Sequence, residues 1–222
     1  QQLHVLAAEP DEHVQLLTPS WQPAPAPVAG TTGRVAILPD SGGVAAALTA
    51  LLGEVADVAE ADTVVDLSVL DVDDDVAAVH AVSRTLAAAA GDGSRAVRVL
   101  VATRAGQAAG DRSPRPAQAA VAVLPVVANQ EHLNLDAGTV DLDSTHGPAE
   151  AAAVLAAELR SPGTPLVAYR GDRRLVPGYR PAAPAAPPVI REGGSYLITG
   201  GLGGVGLTVA EHLATRGARR LV

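Results

Sequence analysis

The stretch that most constrains this chain is at its C-terminal end. The apolar run SYLIT (195–199) leads into GGLGGVG (200–206). An amphipathic run (207–216) follows and stops at Gly217, and RRLV (219–222) begins a further strand. Gly201, Gly203 and Gly206 have G-x-G-x-x-G spacing between a strand and a helix. Side chains at the early glycines would keep the backbone away from a pyrophosphate, and the last glycine lets the helix pack close to the strand. Free N–H groups at the helix start then face the phosphates. The alternative is a glycine-rich surface turn with no ligand, but strand, turn, helix and next strand stand in the register that a dinucleotide site requires. The residue that selects between NAD and NADP is expected beyond Val222.

The same β-α rhythm runs upstream. Strands are expected at 14–19, 34–38, 63–67, 96–103 and 139–142, and helices at 44–52, 71–90, 117–124 and 148–160. Strands alternating with helices imply a parallel sheet, hence an α/β fold. Gly171-Asp172 reads as the two-residue turn of a hairpin between 166–170 and 173–176. Such a hairpin is marginal alone, so residues 16–21 are expected beside it. The run PGYRPAAPAAPP (177–188) reads as a stiff linker.

Composition narrows the function classes. The 222 residues carry 16 basic and 24 acidic side chains, a net charge of −8, which argues against a phosphate-backbone binder. No run reaches membrane-spanning length and no signal peptide opens the chain. The absence of Cys excludes disulfides and thiolate metal sites and suits a reducing compartment, the cytoplasm. The absence of Met is read as the mark of a piece of something larger. With one Trp, three Tyr and no Phe, the core must be Val, Leu, Ile and Ala.

Other candidates are weaker. Asp71, Asp73, Asp74 and Asp75 suit a solvated helix start better than a cation site. The six His have no paired metal spacing. Arg170, Arg173 and Arg174 read as a solvated hairpin. The turn of Asp40, Ser41, Gly42 and Gly43 sits where a first βαβ unit would hold phosphate, lacks the spaced third glycine, and is expected to bind no dinucleotide.

TGGLGGVG at 199–206, followed by a helix and RRLV, resembles the start of the catalytic half of a polyketide synthase ketoreductase, of the short-chain dehydrogenase/reductase superfamily. RVLVATRAG (98–106), PAQAA (116–120), ANQEH (128–132), VDLD (140–143) and VAYRGDRRLV (167–176) resemble the preceding structural half, and LLTPSWQPAP (16–25) its opening strand. Leu133 departs from that pattern, where related domains often have Pro. The resemblance implies a truncated Rossmann-like structural subdomain (1–180), a Pro-rich linker (181–192) and the first β-α-β of an NADP-binding Rossmann fold (193–222). It implies NADPH held by Thr199, Gly200, Gly201, Leu202, Gly203, Gly204, Val205 and Gly206. It further implies reduction of the β-keto group of an acyl chain on an acyl carrier protein, with neighbouring synthase domains as partners and neither nucleic acid nor membrane. The family's Ser, Tyr and Lys would lie beyond Val222, so residues 1–222 alone are expected neither to reduce a ketone nor to hold NADPH tightly. Tyr196 precedes the glycine turn and is not the proton donor. A non-reducing, scaffold-type ketoreductase is the alternative; the intact glycines favour the reducing one.

Overall fold

The computed structural model describes residues 16–27, 30–110, 113–161, 163–182, 190–191 and 193–222. Two compact units emerge, one of Thr18–Arg180 and the other of the remaining residues. The larger unit is a seven-stranded sheet. Its strands are β1 (Leu17–Pro23), β2 (Val35–Leu38), β3 (Thr63–Asp66), β4 (Val97–Arg104), β5 (Leu135–Leu142), β6 (Leu166–Arg170) and β7 (Arg173–Pro181), in the order β1-β7-β6-β5-β4-β3-β2. β2 through β6 are parallel, and β7 turns back antiparallel to β6. β1 lies beside β7, and the N–H of Ala24 donates to Arg174 O at 3.0 Å. The hairpin thus gains the third strand its shortness calls for.

Alternate residues of each strand face opposite sides. On one side Val65, Leu100, Val140 and Val167 pack with α1 (Val44–Leu52) and α5 (Pro148–Leu159). On the other, Val64, Val99, Val101 and Ala137 pack with α2 (Asp75–Ala90), α3 (Pro116–Val121) and α4 (Leu124–Glu131). Both cores are almost wholly aliphatic, as the scarcity of aromatics requires. Among the described residues no helix is long and apolar enough to cross a membrane.

Several boundaries differ from expectation. The helix expected over 117–124 is two helices, because Pro125 has no N–H with which to continue the first. β5 begins at Leu135 rather than 139, running through Gly138, where a Cβ would stand 3.3 Å from the carbonyl oxygens of Thr164 and Pro165. α2 begins at Asp75, not 71, with Asp74 as its cap, accepting from Ala77 N–H at 2.7 Å. Residues 177–181, read as linker, instead complete β7. The proline-rich run from 183 to 188 lies outside the described residues, as does Val14 of the expected first strand.

In the smaller unit β8 (Ser195–Tyr196) and β9 (Arg220–Leu221) are parallel and flank α6 (Gly204–Thr215). The pairing reaches further than the two-residue strands. Ile198 N–H donates to Val222 O at 2.8 Å, and Val222 N–H to Tyr196 O at 2.9 Å. The helix starts three residues before the expected Leu207, so Gly204, Val205 and Gly206 form its first turn.

Candidate cofactor site

The eight expected site residues, 199–206, run from the loop after β8 through the first turn of α6. The chain leaves β8, turns through Gly200 in the left-handed region (φ +70°), and closes with Gly201 N–H on Ile198 O and Gly203 N–H on Gly200 O. Gly206 is the point of closest approach. A Cβ there would lie 2.3 Å from Gly200 O and 2.6 Å from Gly201 Cα, which no side chain can satisfy. The last glycine therefore lets the helix seat on the turn that feeds it. Gly201 and Gly203 are tight, with Cβ positions 3.0 Å from Ile198 O and 3.3 Å from Gly200 O. Gly204 differs from all of these: its Cβ would meet nothing within 4 Å, and its φ is not positive. The fold makes no demand for glycine at this position.

Among the described residues, the N–H groups of Leu202, Gly204, Val205 and Gly206 meet no protein acceptor. α6 has no side-chain cap and no acidic residue in its first turn. Its leading N–H groups point out along the helix axis with partial positive charge. The chemistry available is that of an anion cradle built from backbone, flanked by the exposed side chains of Leu202 and Val205. At the far end Gly217, at φ +100°, ends the helix.

The remaining candidates resolve into structural roles. The Tyr196 hydroxyl accepts Arg191 N–H at 2.6 Å and donates to Arg191 O at 3.3 Å, so it pins a local turn. Arg170 and Arg174 are not solvated, contrary to the reading of the hairpin. Arg170 bonds Asp141 and the carbonyls of Gln107 and Ala109, and Arg174 bonds the buried Glu158. Burial first, then the hydroxyl's bond to Glu158, pushes the Tyr169 phenol above its usual range. The acidic run divides: Asp73 pairs with Arg115, Asp74 caps α2, and Asp71 reaches the first βα turn. No group of three or more potential metal ligands occurs among the described residues.

Sequence reasoning did not foresee the roles inside the quoted motifs. Gln118 of PAQAA is fully buried, accepts Arg104 N–H, and donates to Val69 O and Val72 O. Asn129 of ANQEH exchanges two bonds with the Ala137 backbone. Arg98 donates to carbonyls of Glu158, Leu159 and Ser161 at the C-terminal end of α5. Their signal was a polar residue set among apolar ones, which marks a buried, satisfied group as readily as a functional one.

Residues 194–222 match the KR domain family. The chain is 40% identical over 137 residues (58% of its length) to one of the phenolphthiocerol/phthiocerol polyketide synthase subunits of Mycobacterium tuberculosis, and covers 7% of that polypeptide. It is 49% identical over 63 residues to the low-reducing polyketide synthase drtA of Aspergillus calidoustus, 28% of this chain and 2% of that synthase. Among solved structures, the first ketoreductase of the tylosin polyketide synthase matches with a TM-score of 0.69 and 29% identity, over 92% of this chain and 49% of that one. An A1-type ketoreductase matches with a TM-score of 0.60 and 28% identity, over 92% and 51% respectively. The chain thus spans about half the length of the solved ketoreductases and a small fraction of the synthase polypeptides. In sequence and in fold the chain is similar to polyketide synthase ketoreductases.

Proposed function

We propose that this chain supplies the structural half and the opening of the cofactor-binding half of a ketoreductase that reduces β-ketoacyl thioesters with NADPH. Residues 1–180 support, 181–192 link, and 193–222 open the cofactor-binding subdomain. The observation that carries this reading is the open turn. Among the described residues the N–H groups of Leu202, Gly204, Val205 and Gly206, at a helix N-terminus, meet no protein acceptor, a fitting cradle for a pyrophosphate. Gly204 supports it from another direction, since a glycine without an internal steric reason fits a backbone that must admit a ligand. Thr199, Gly200, Gly201 and Gly203 shape the turn.

When bound, NADPH supplies the hydride for the β-keto carbon of an acyl chain carried by an acyl carrier protein. This chain's share is to fix the diphosphate and so orient the cofactor. The partners are the carrier protein and adjoining synthase domains, in the cytoplasm.

The test is Gly204→Val in the synthase polypeptide that carries this chain, with NADPH affinity and melting temperature measured together. Affinity should fall by about tenfold or more while the melting temperature holds, because the new side chain meets only the ligand. Unchanged affinity would show that the phosphate lies elsewhere. If the unaltered polypeptide binds no NADPH, the non-reducing scaffold reading takes its place.

A further inference from the structure

The larger unit has its own βα turn, between β2 and α1, in the position where a Rossmann-like unit would cradle phosphate. Gly43 sits there at φ +92°, and the N–H groups of Ser41, Gly42, Val44 and Ala45 lead into α1. None of these four lacks an acceptor. The Asp40 carboxylate takes Val44 N–H at 3.0 Å and Ala45 N–H at 2.8 Å. Asp71, from the loop between β3 and α2, brings one oxygen, Oδ2, to Ser41 N–H at 2.8 Å, Ser41 Oγ–H at 2.8 Å and Gly42 N–H at 3.0 Å. A Cβ on Gly42 would stand 3.1 Å from the Asp40 carboxylate and 3.3 Å from that of Asp71. Glycine at position 42 therefore leaves room for two acidic groups around one small space.

We propose that Asp71 is the resident anion of this turn: a carboxylate from a neighbouring loop occupies the place of an external phosphate, ties the two loops together and closes the turn to outside anions. An external anion would have to displace a carboxylate held at high effective concentration, and would meet the charges of Asp40 and Asp71 together. Arg104 is the cation that acts on Asp71. Burial alone would raise the Asp71 carboxyl, but the Ser41 and Gly42 bonds and the Arg104 charge outweigh it and hold it below its ordinary range. This assignment concerns the Thr18–Arg180 unit alone and does not depend on the cofactor reading of residues 199–206.

The test is Asp71→Ala in the full chain, titrated with formate, the size of the lost carboxylate, against chloride at equal ionic strength. Amide shifts of Ser41 and Gly42 should move saturably towards their native positions with formate and not with chloride. A melting temperature lowered by about 3–6 °C should recover in parallel. The native chain should show no formate dependence at these amides. Absence of a formate response in the variant, or the same response in the native chain, overturns the assignment. Should Asp71→Ala not fold, Asp71→Asn keeps an acceptor oxygen but no charge. Hydrogen exchange at Ser41 and Gly42 should then quicken by about tenfold, and unchanged exchange overturns the assignment equally.

Discussion

Two βα turns in this chain have similar sequences and opposite electrostatics. PDSGG before α1 and GGLGGVG, which runs into the first turn of α6, each follow a strand, open a helix and use a glycine at positive φ. In the first, the N–H groups of Ser41, Gly42, Val44 and Ala45 are taken by Asp40 or Asp71. In the second, four N–H groups have no acceptor among the described residues, and no acidic side chain stands in the first helical turn. Glycine content alone therefore does not make an anion site. What matters is whether the chain supplies its own carboxylate. Elsewhere in the larger unit, at the ends of β4 and β5, buried Asp141 likewise accepts from Thr103, Gly106, Gln107 and Arg170.

The largest effect expected from breaking this pattern is at Asp141. Asp141→Ala removes the counter-charge of Arg170 and leaves three further donors without their acceptor, and should destabilise the larger unit by about 3–5 kcal/mol in chemical denaturation. A loss under 1 kcal/mol would mean that this carboxylate does not hold the ends of β4 and β5 together. Next is Gly206→Val, whose side chain cannot avoid the Gly200–Gly201 backbone. Overpacking of this kind costs about 1–3 kcal/mol. Far-ultraviolet circular dichroism should show loss of the α6 contribution, which Gly204→Val should leave in place. Equal behaviour of the two variants would erase the distinction between a glycine the fold needs and one that the ligand needs.

A smaller effect depends on pH. Burial tends to raise the Asp143 carboxyl, but bonds from Thr145 and Gly171, with the His146 charge, lower it to about 2. A carboxyl lowered in the folded state adds stability above its unfolded pKa of about 4. That stability is lost as pH falls from there towards 2. Asp143→Asn should flatten the decline of denaturation midpoints over that window; an unchanged slope assigns the acid sensitivity to other groups. Smallest is Ser41→Ala, which removes one of the three donors to Asp71 and should cost about 0.5–1.5 kcal/mol.

Much of this was legible in the residues. Val44–Leu52 between two glycines gave a helix with the expected ends, and the Gly171-Asp172 turn gave the hairpin. Local pattern fails where a distant group decides. Gly138 and Asp136 do not look like strand, yet β5 runs through them because they pair with Leu100 and Arg98 of β4, and glycine at 138 admits the close carbonyls of Thr164 and Pro165. Pro177 and Pro181 look like linker, yet they lie in β7, beside β1 near the edge of the sheet, where missing N–H groups are tolerated. The glycine spacing at 201, 203 and 206 marked the candidate site, but the lack of an internal need for glycine at 204 emerges only from the packing. The capture of Ser41 by Asp71, thirty residues away, has no local signal.

The contrast between the two turns is tested most directly by adding NADPH to the isotope-labelled polypeptide of the proposed ketoreductase and following both sets of amides in one spectrum. The shifts of Leu202, Gly204, Val205 and Gly206 should move saturably, and those of Ser41, Gly42, Val44 and Ala45 should stay in place. Movement at the first set of residues without the second is the predicted result; movement at Ser41 and Gly42, or none at Gly204 and Gly206, would contradict it.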